Sequence, residues 1–119
     1  MTLKECYERL GGDYADVASR LPSEKFILKF VLKFLDDGSY AMLLNALETG
    51  NGEEAFRAAH TIKGMCANLG FTKLGESSSA LTEFLRPGLS GDYSALLEQV
   101  CRDYEQTCQA IRAMQESQE

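Results

Sequence analysis

His60 is the only histidine in the chain, and imidazole is the side chain that most readily offers a neutral nitrogen nucleophile at physiological pH. It stands in the run AAHTIKGMCANLG, with Lys63 three residues on and Gly64 four residues on. Three kinds of chemistry use such a nitrogen: metal ligation, general base catalysis and the carrying of a transferred group. Zinc is poorly served, because Cys6, Cys66, Cys101 and Cys108 are scattered without a CxxC pair and a single histidine is present to complete a set. Hydrolysis needs a partnered base, nucleophile or metal cluster, and the surroundings of His60 offer mainly Lys63, Gly64 and Ala67. Group transfer needs only a nucleophile that a second protein can reach.

Access depends on the helix that carries His60. Asn51 is placed to cap it, Glu53 and Glu54 suit its positive N-terminal end, and Leu69-Gly70 is a C-terminal stop. At about 100° per residue, Ala55, Ala59, Ile62, Cys66 and Leu69 fall in one narrow arc, the buried stripe. His60 lies about 140° from the centre of that arc, on the solvent face. An ordinary surface histidine is then the plain alternative to a functional one.

The neighbours weigh against it. A glycine inside a helix costs about 1 kcal/mol relative to alanine, and no capping role explains Gly64, one turn beyond His60 on the same face. Removing the side chain there opens the imidazole to a bulky partner. Ala67, two turns beyond, keeps the ridge low, as a docking surface requires. Lys63 is close enough for its ammonium to reach a group attached to the ring. Arg57, one turn before, and Phe56 beside it add a second cation and an apolar contact, both ranked below Lys63.

Around this helix the chain predicts an all-α protein: no period-2 alternation persists, prolines number two, and glycines cluster between segments of helical periodicity. A short helix from about Thr2 to Leu10 ends at Gly11-Gly12, and a second runs from near Asp13 to Pro22. Ser23 is placed to cap a helix to about Leu35, burying Ile27, Phe30, Val31 and Phe34. Asp36-Asp37-Gly38 then interrupts it, and Ser39 caps a continuation with Tyr40, Leu43, Leu44 and Leu47 on one face, up to Gly50-Asn51-Gly52. After the His60 helix come one from about Thr72 to Arg86, with Leu74, Ser78, Leu81 and Leu85 inward and three consecutive serines as a small-residue layer, and a last from about Asp92 to Met114. The last helix keeps Leu97, Val100, Tyr104, Cys108 and Ile111 on one stripe, and its QESQE end is expected to fray. Long amphipathic helices with short connections predict an antiparallel up-and-down four-helix bundle, about residues 23–115, with short additional N-terminal helices in 2–21.

Composition sets the remaining bounds. A chain of 119 residues, 45% hydrophobic, is the size of one domain and buries a core without metal or disulfide staples, so a single unit over 1–119 is expected. The formal charge of −6, with 18 acidic against 12 basic residues, argues against a general nucleic-acid or acidic-membrane binder and for a protein partner. Charges break the start MTLKECYERLGG, and lysines break FILKFVLKFL, so neither a secretory signal nor a membrane span is expected. The cysteines sit beside apolar residues in helical patterns, as buried reduced thiols of a soluble cytoplasmic protein would; Cys101 and Cys108, two turns apart, are also placed to share a face.

The run AAHTIKGMCANLGFTKL, from His60 through Lys63-Gly64 and Leu69-Gly70 to Leu74, closely resembles the signature of histidine-containing phosphotransfer (HPt) domains. The likeness extends to Ser39-Tyr40 through Ala46-Leu47 and to the segment SALTEFLR, covering roughly residues 23–86 well, while the N-terminal helices and the last helix match in pattern only. The resemblance implies a four-helix bundle in which His60 takes a phosphoryl group from the aspartyl phosphate of a response-regulator receiver domain and passes it to another, with a hybrid sensor histidine kinase as a further partner to consider. It implies that Lys63 screens the phosphoryl charge, that Gly64 gives the receiver room to close over the ring, and that Mg²⁺ comes with the receiver and not with this chain. One departure stands out: many family members carry Gln or Glu on the following helix, where it hydrogen-bonds the other ring nitrogen, and the corresponding residue here is Thr82. Neighbouring Glu83 is the other candidate for orienting the ring.

Two rival readings remain. A kinase would need an ATP site, and neither a GxxxxGK[ST] loop nor a kinase-type glycine-rich loop is present. A helical interaction module that binds receivers without chemistry is the stronger rival, since bundles commonly serve as scaffolds. His60 and Gly64 together argue against that role and for phosphotransfer, and the carrier is expected to be a monomer.

Overall fold

Helix starts follow the local chemistry of their caps. Thr2 and Glu5 cap each other, the Thr2 hydroxyl accepting from the Glu5 N–H at 3.1 Å and the Glu5 carboxylate from the Thr2 N–H at 2.9 Å, and α1 (Leu3–Leu10) follows. Asp13, Ser23 and Asn51 accept from the backbone N–H three residues on at 3.0, 3.3 and 3.1 Å, opening α2 (Tyr14–Arg20), α3 (Glu24–Phe34) and α5 (Gly52–Leu69). The other helices are α4 (Ser39–Glu48), α6 (Thr72–Leu85) and α7 (Ser94–Ser117). The computed structural model describes residues 1–117, and among them the chain is all-helical, as the sequence predicts.

Three helix ends differ from expectation. Ser39 is not a cap: it is the first residue of α4 and is buried, Gly38 stands at the cap position, and Asp37 accepts the Ser39 N–H at 2.8 Å. Asp92 lies outside α7 and accepts the Ser94 N–H at 2.9 Å. The last helix ends later than Met114: α7 continues through Ser117, whose hydroxyl accepts from the amino terminus at 3.0 Å, and the remainder of the QESQE end, residues 118–119, lies outside the described span.

The inward stripes of α5 and α6 are as expected, with Ala55, Ala59, Ile62, Cys66 and Leu69 buried against Leu74, Ser78, Leu81 and Leu85, and Ala58 joins them. Two predicted core residues are not in the core. Phe30 is 39% exposed, because it sits at the edge of the arc that Ile27, Val31 and Phe34 occupy. Leu44 is 37% exposed, because the buried face of α4 turns toward Ala46, and Leu44 lies about 100° round from Leu43. On α7, Val100, Cys108 and Ile111 are buried, whereas Leu97 and Tyr104 are only partly so. All four cysteines are free; Cys6, Cys66 and Cys108 are buried and Cys101 is partly exposed, and burial pushes the Cys66 thiol up to about 12.

What positions α5 is contact on two sides and at one end. It packs along α4 and α6, α6 packs on α7, and α1 covers α7. At its C-terminal end the orphan carbonyls that any helix leaves are taken up by the first two helices. The Tyr7 hydroxyl donates to the Leu69 carbonyl at 2.6 Å, and the Arg20 guanidinium donates to those of Ala67 and Asn68 at 3.0 and 2.8 Å. Gly70 closes the helix with φ of 71°, and a Cβ there would stand 2.8 Å from the Asp13 carbonyl oxygen, so both the turn and the close approach require glycine. α6 begins without a side-chain cap; its start is fixed instead by Phe71, fully buried with its ring 5.5 Å from Tyr7 and 5.2 Å from Phe34, and by the Lys73 N–H donating to the Gly11 carbonyl at 3.0 Å.

Candidate functional site

His60 lies near the middle of α5, on its exposed face, as the helical wheel requires. Gly64 and Ala67 continue that face and are exposed too. A Cβ built on Gly64 meets no atom within 4 Å, so neither backbone conformation nor packing demands glycine there. The open step beside the imidazole is therefore a property of the surface and not a by-product of the core.

Lys63 is half-buried and turns toward α6, where it borders a shallow depression shared with Ala67, Gly75, Glu76 and Ser79. Gly75 permits this closeness, since a Cβ on it would stand 3.3 Å from the Cβ of Cys66 on α5. Arg57 is exposed and reaches back along α5 to Glu53 at 3.1 Å, one turn away from His60. Arg57 thus shares the helix and the face but is occupied elsewhere.

The two candidates for orienting the ring divide cleanly. Thr82 is fully buried, and its hydroxyl donates to the Ser78 carbonyl at 2.6 Å inside α6. Glu83 is exposed, and Arg86 binds it through two hydrogen bonds of 2.8 and 3.2 Å. Those bonds and the Arg86 charge hold the Glu83 carboxyl below the usual glutamate range, with smaller contributions from the charges of Lys63 and His60. Glu83 therefore belongs to the electrostatic surroundings of His60.

Two further residues complete the surroundings, and sequence reasoning undervalued one and missed the other. The Phe56 ring lies nearly parallel to the His60 ring, 15° between planes with centroids 6.0 Å apart. The Arg86 guanidinium sits over the Phe56 ring, 5.0 Å from its centroid. The signal for Phe56 was its place four residues before His60 on the same helical face. Arg86 carried no such signal, because it is the last residue before Pro87-Gly88 and only the packing of α6 on α5 brings it across.

The site therefore presents an accessible ring on a low ridge, with a flanking ammonium and a carboxylate-guanidinium pair to one side. No group of three or more His, Cys, Asp or Glu side chains suited to a metal ion occurs among the described residues. Chemically, such a ridge supplies a nucleophile and charge but leaves the rest of a reaction to whatever docks on it. Comparison with curated proteins and with solved structures gave no match. A family model described as the Hpt domain matches residues 39–117, the span that runs from the start of α4 to the end of α7 and contains His60, Lys63 and Gly64, and the chain belongs to that family.

Proposed function

We propose that the protein is a phosphoryl carrier of a multistep phosphorelay, in which His60 takes the group from the aspartyl phosphate of one receiver domain and gives it to the aspartate of another. A ring nitrogen attacks phosphorus, the bond from phosphorus to the aspartyl oxygen breaks, and the receiver is left with a free carboxylate. The return step reverses those roles. Phosphoryl transfer of this kind is mostly positioning and charge neutralisation in line between the attacking and leaving atoms, so a domain that brings the nucleophile alone suffices once the receiver provides the rest.

The observation that carries the reading is the open space around Gly64 beside the exposed His60 ring. In this reading Lys63 neutralises the phosphoryl charge, Gly64 and Ala67 form the floor on which the receiver sits, and Arg57 contacts the receiver from the near end of the ridge. The successive packing of α4 on α5, α5 on α6 and α6 on α7 supports an up-and-down bundle of four with residues 1–119 as one unit. The carrier is read as a cytoplasmic monomer that meets its receivers in solution, a hybrid sensor kinase among them. Among the described residues no helix is long and apolar enough to cross a membrane.

The test is to incubate the protein with phosphorylated receiver domains and follow phosphate on it. Acid-labile, alkali-stable label on the wild type and none on His60→Gln is the expected result. Receiver binding without any labelling of the wild type would replace the carrier with a scaffold.

A further inference from the structure

We propose that stacking, and not a hydrogen bond from α6, fixes the plane of the His60 ring: Phe56 is the positioning residue, held in place by Arg86, which Glu83 holds in turn. An imidazole on a helix surface rotates broadly about its last torsion unless something restrains it, and in-line attack needs one ring orientation. Among the described residues no hydrogen bond reaches either nitrogen of His60. Thr82, the residue of α6 in register to supply one, points inward with its hydroxyl spent on Ser78.

Phe56 supplies the restraint from one turn earlier on the same helix. Its ring lies 15° from parallel to that of His60 with centroids 6.0 Å apart, within the separation of about 4.5–7 Å at which aromatic rings attract. A stacked neighbour restrains the plane of an imidazole while leaving both nitrogens, which lie in that plane, open to a phosphoryl group and to a partner's donors. A hydrogen bond from α6 would have occupied one of them.

Phe56 is restrained in its turn. It is half-buried against the core, and the Arg86 guanidinium rests over its ring at 5.0 Å. Arg86 is held by both oxygens of Glu83 at 2.8 and 3.2 Å. His60 and Phe56 come from α5, Glu83 from α6 and Arg86 from its C-terminal cap, so the assembly exists only when those two helices are packed.

Because the chain has one histidine, its ring gives a single set of ¹H and ¹⁵N signals in protein labelled at histidine, free of overlap. In Phe56→Leu the His60 ring protons are expected to lose their ring-current displacement and move toward the values of an exposed histidine, and in Phe56→Tyr to stay in place. Transfer from a phosphorylated receiver is expected to slow by about tenfold or more in Phe56→Leu, the scale on which misorienting a reacting group acts, and to be retained in Phe56→Tyr. Arg86→Gln, at an exposed position that does not threaten the fold, is expected to slow transfer by about two- to fivefold, as loss of an exposed cation–π contact implies. Ring-proton shifts unchanged in both Phe56→Leu and Arg86→Gln would overturn the proposal, as would transfer at the wild-type rate in both. The kinetic arm rests on the carrier reading; a wild type that takes no phosphate would sink that reading, while the ring-proton shifts would still decide the stacking.

Discussion

The Thr82 hydroxyl donates a 2.6 Å hydrogen bond to the Ser78 carbonyl oxygen, a contact wholly inside α6 that turns the side chain away from His60. Replacing Thr82 with Val keeps the shape and removes only this local bond. Stability is expected to change by no more than about 1 kcal/mol in urea unfolding, and the transfer rate to stay the same. A large loss of transfer in a folded Thr82→Val would return the ring-orienting role to this position.

Ser78 itself is fully buried, and its hydroxyl oxygen is the one buried side-chain polar atom among the described residues without a hydrogen-bond partner. Alanine fits the same small-residue layer, removes the unsatisfied group and favours the helix. Ser78→Ala is expected to raise stability by about 1 kcal/mol, read as a higher denaturation midpoint at constant m-value. No gain would mean that the hydroxyl is satisfied in solution.

At Gly64, stability and function are expected to move in opposite directions. Alanine meets open space there and removes the entropic cost of a helical glycine, so Gly64→Ala should add up to about 1 kcal/mol. Gly64→Leu should leave the protein folded, with an unchanged circular dichroism spectrum, yet slow phosphotransfer through a higher KM for the receiver. An unaltered transfer rate in Gly64→Leu would remove the docking argument.

For Glu83 the pH dependence has a definite sign. Its carboxyl is held low, first by the hydrogen bonds from Arg86, so the pair is present above the ordinary glutamate value of 4.5 and is lost as pH falls through the lower folded value. Carbon-detected titration should show a midpoint below 4.5 in the wild type and a rise toward it in Arg86→Gln. The Phe56 ring shifts should change over that same acidic range, and that change should be absent in Arg86→Gln.

Much of this was legible in the residues. The cap residues Ser23 and Asn51 work as read, because a side-chain acceptor ahead of a helix acts over three residues and needs no tertiary context. His60 could be placed outside the core for a similar reason: five small or apolar residues of α5 define the buried direction. Phe30 and Leu44 could not be placed so well, since the edge of a buried arc depends on where the neighbouring helix lies. The relation of Arg86 to Phe56 was invisible for the same reason, being a contact between helices whose register no local pattern encodes.

The family match begins at Ser39, yet the helices before that residue are bonded into the matched span. Tyr7 and Arg20 occupy the carbonyls that end α5, and the Tyr7 ring packs beside Phe71. The length that can be recognised and the length that can be transplanted are therefore different. A graft of residues 39–117 into another protein would leave the last turn of the histidine-bearing helix and the flank of α7 covered by α1 open to water, whereas a graft that brings residues 1–38 carries its own closure.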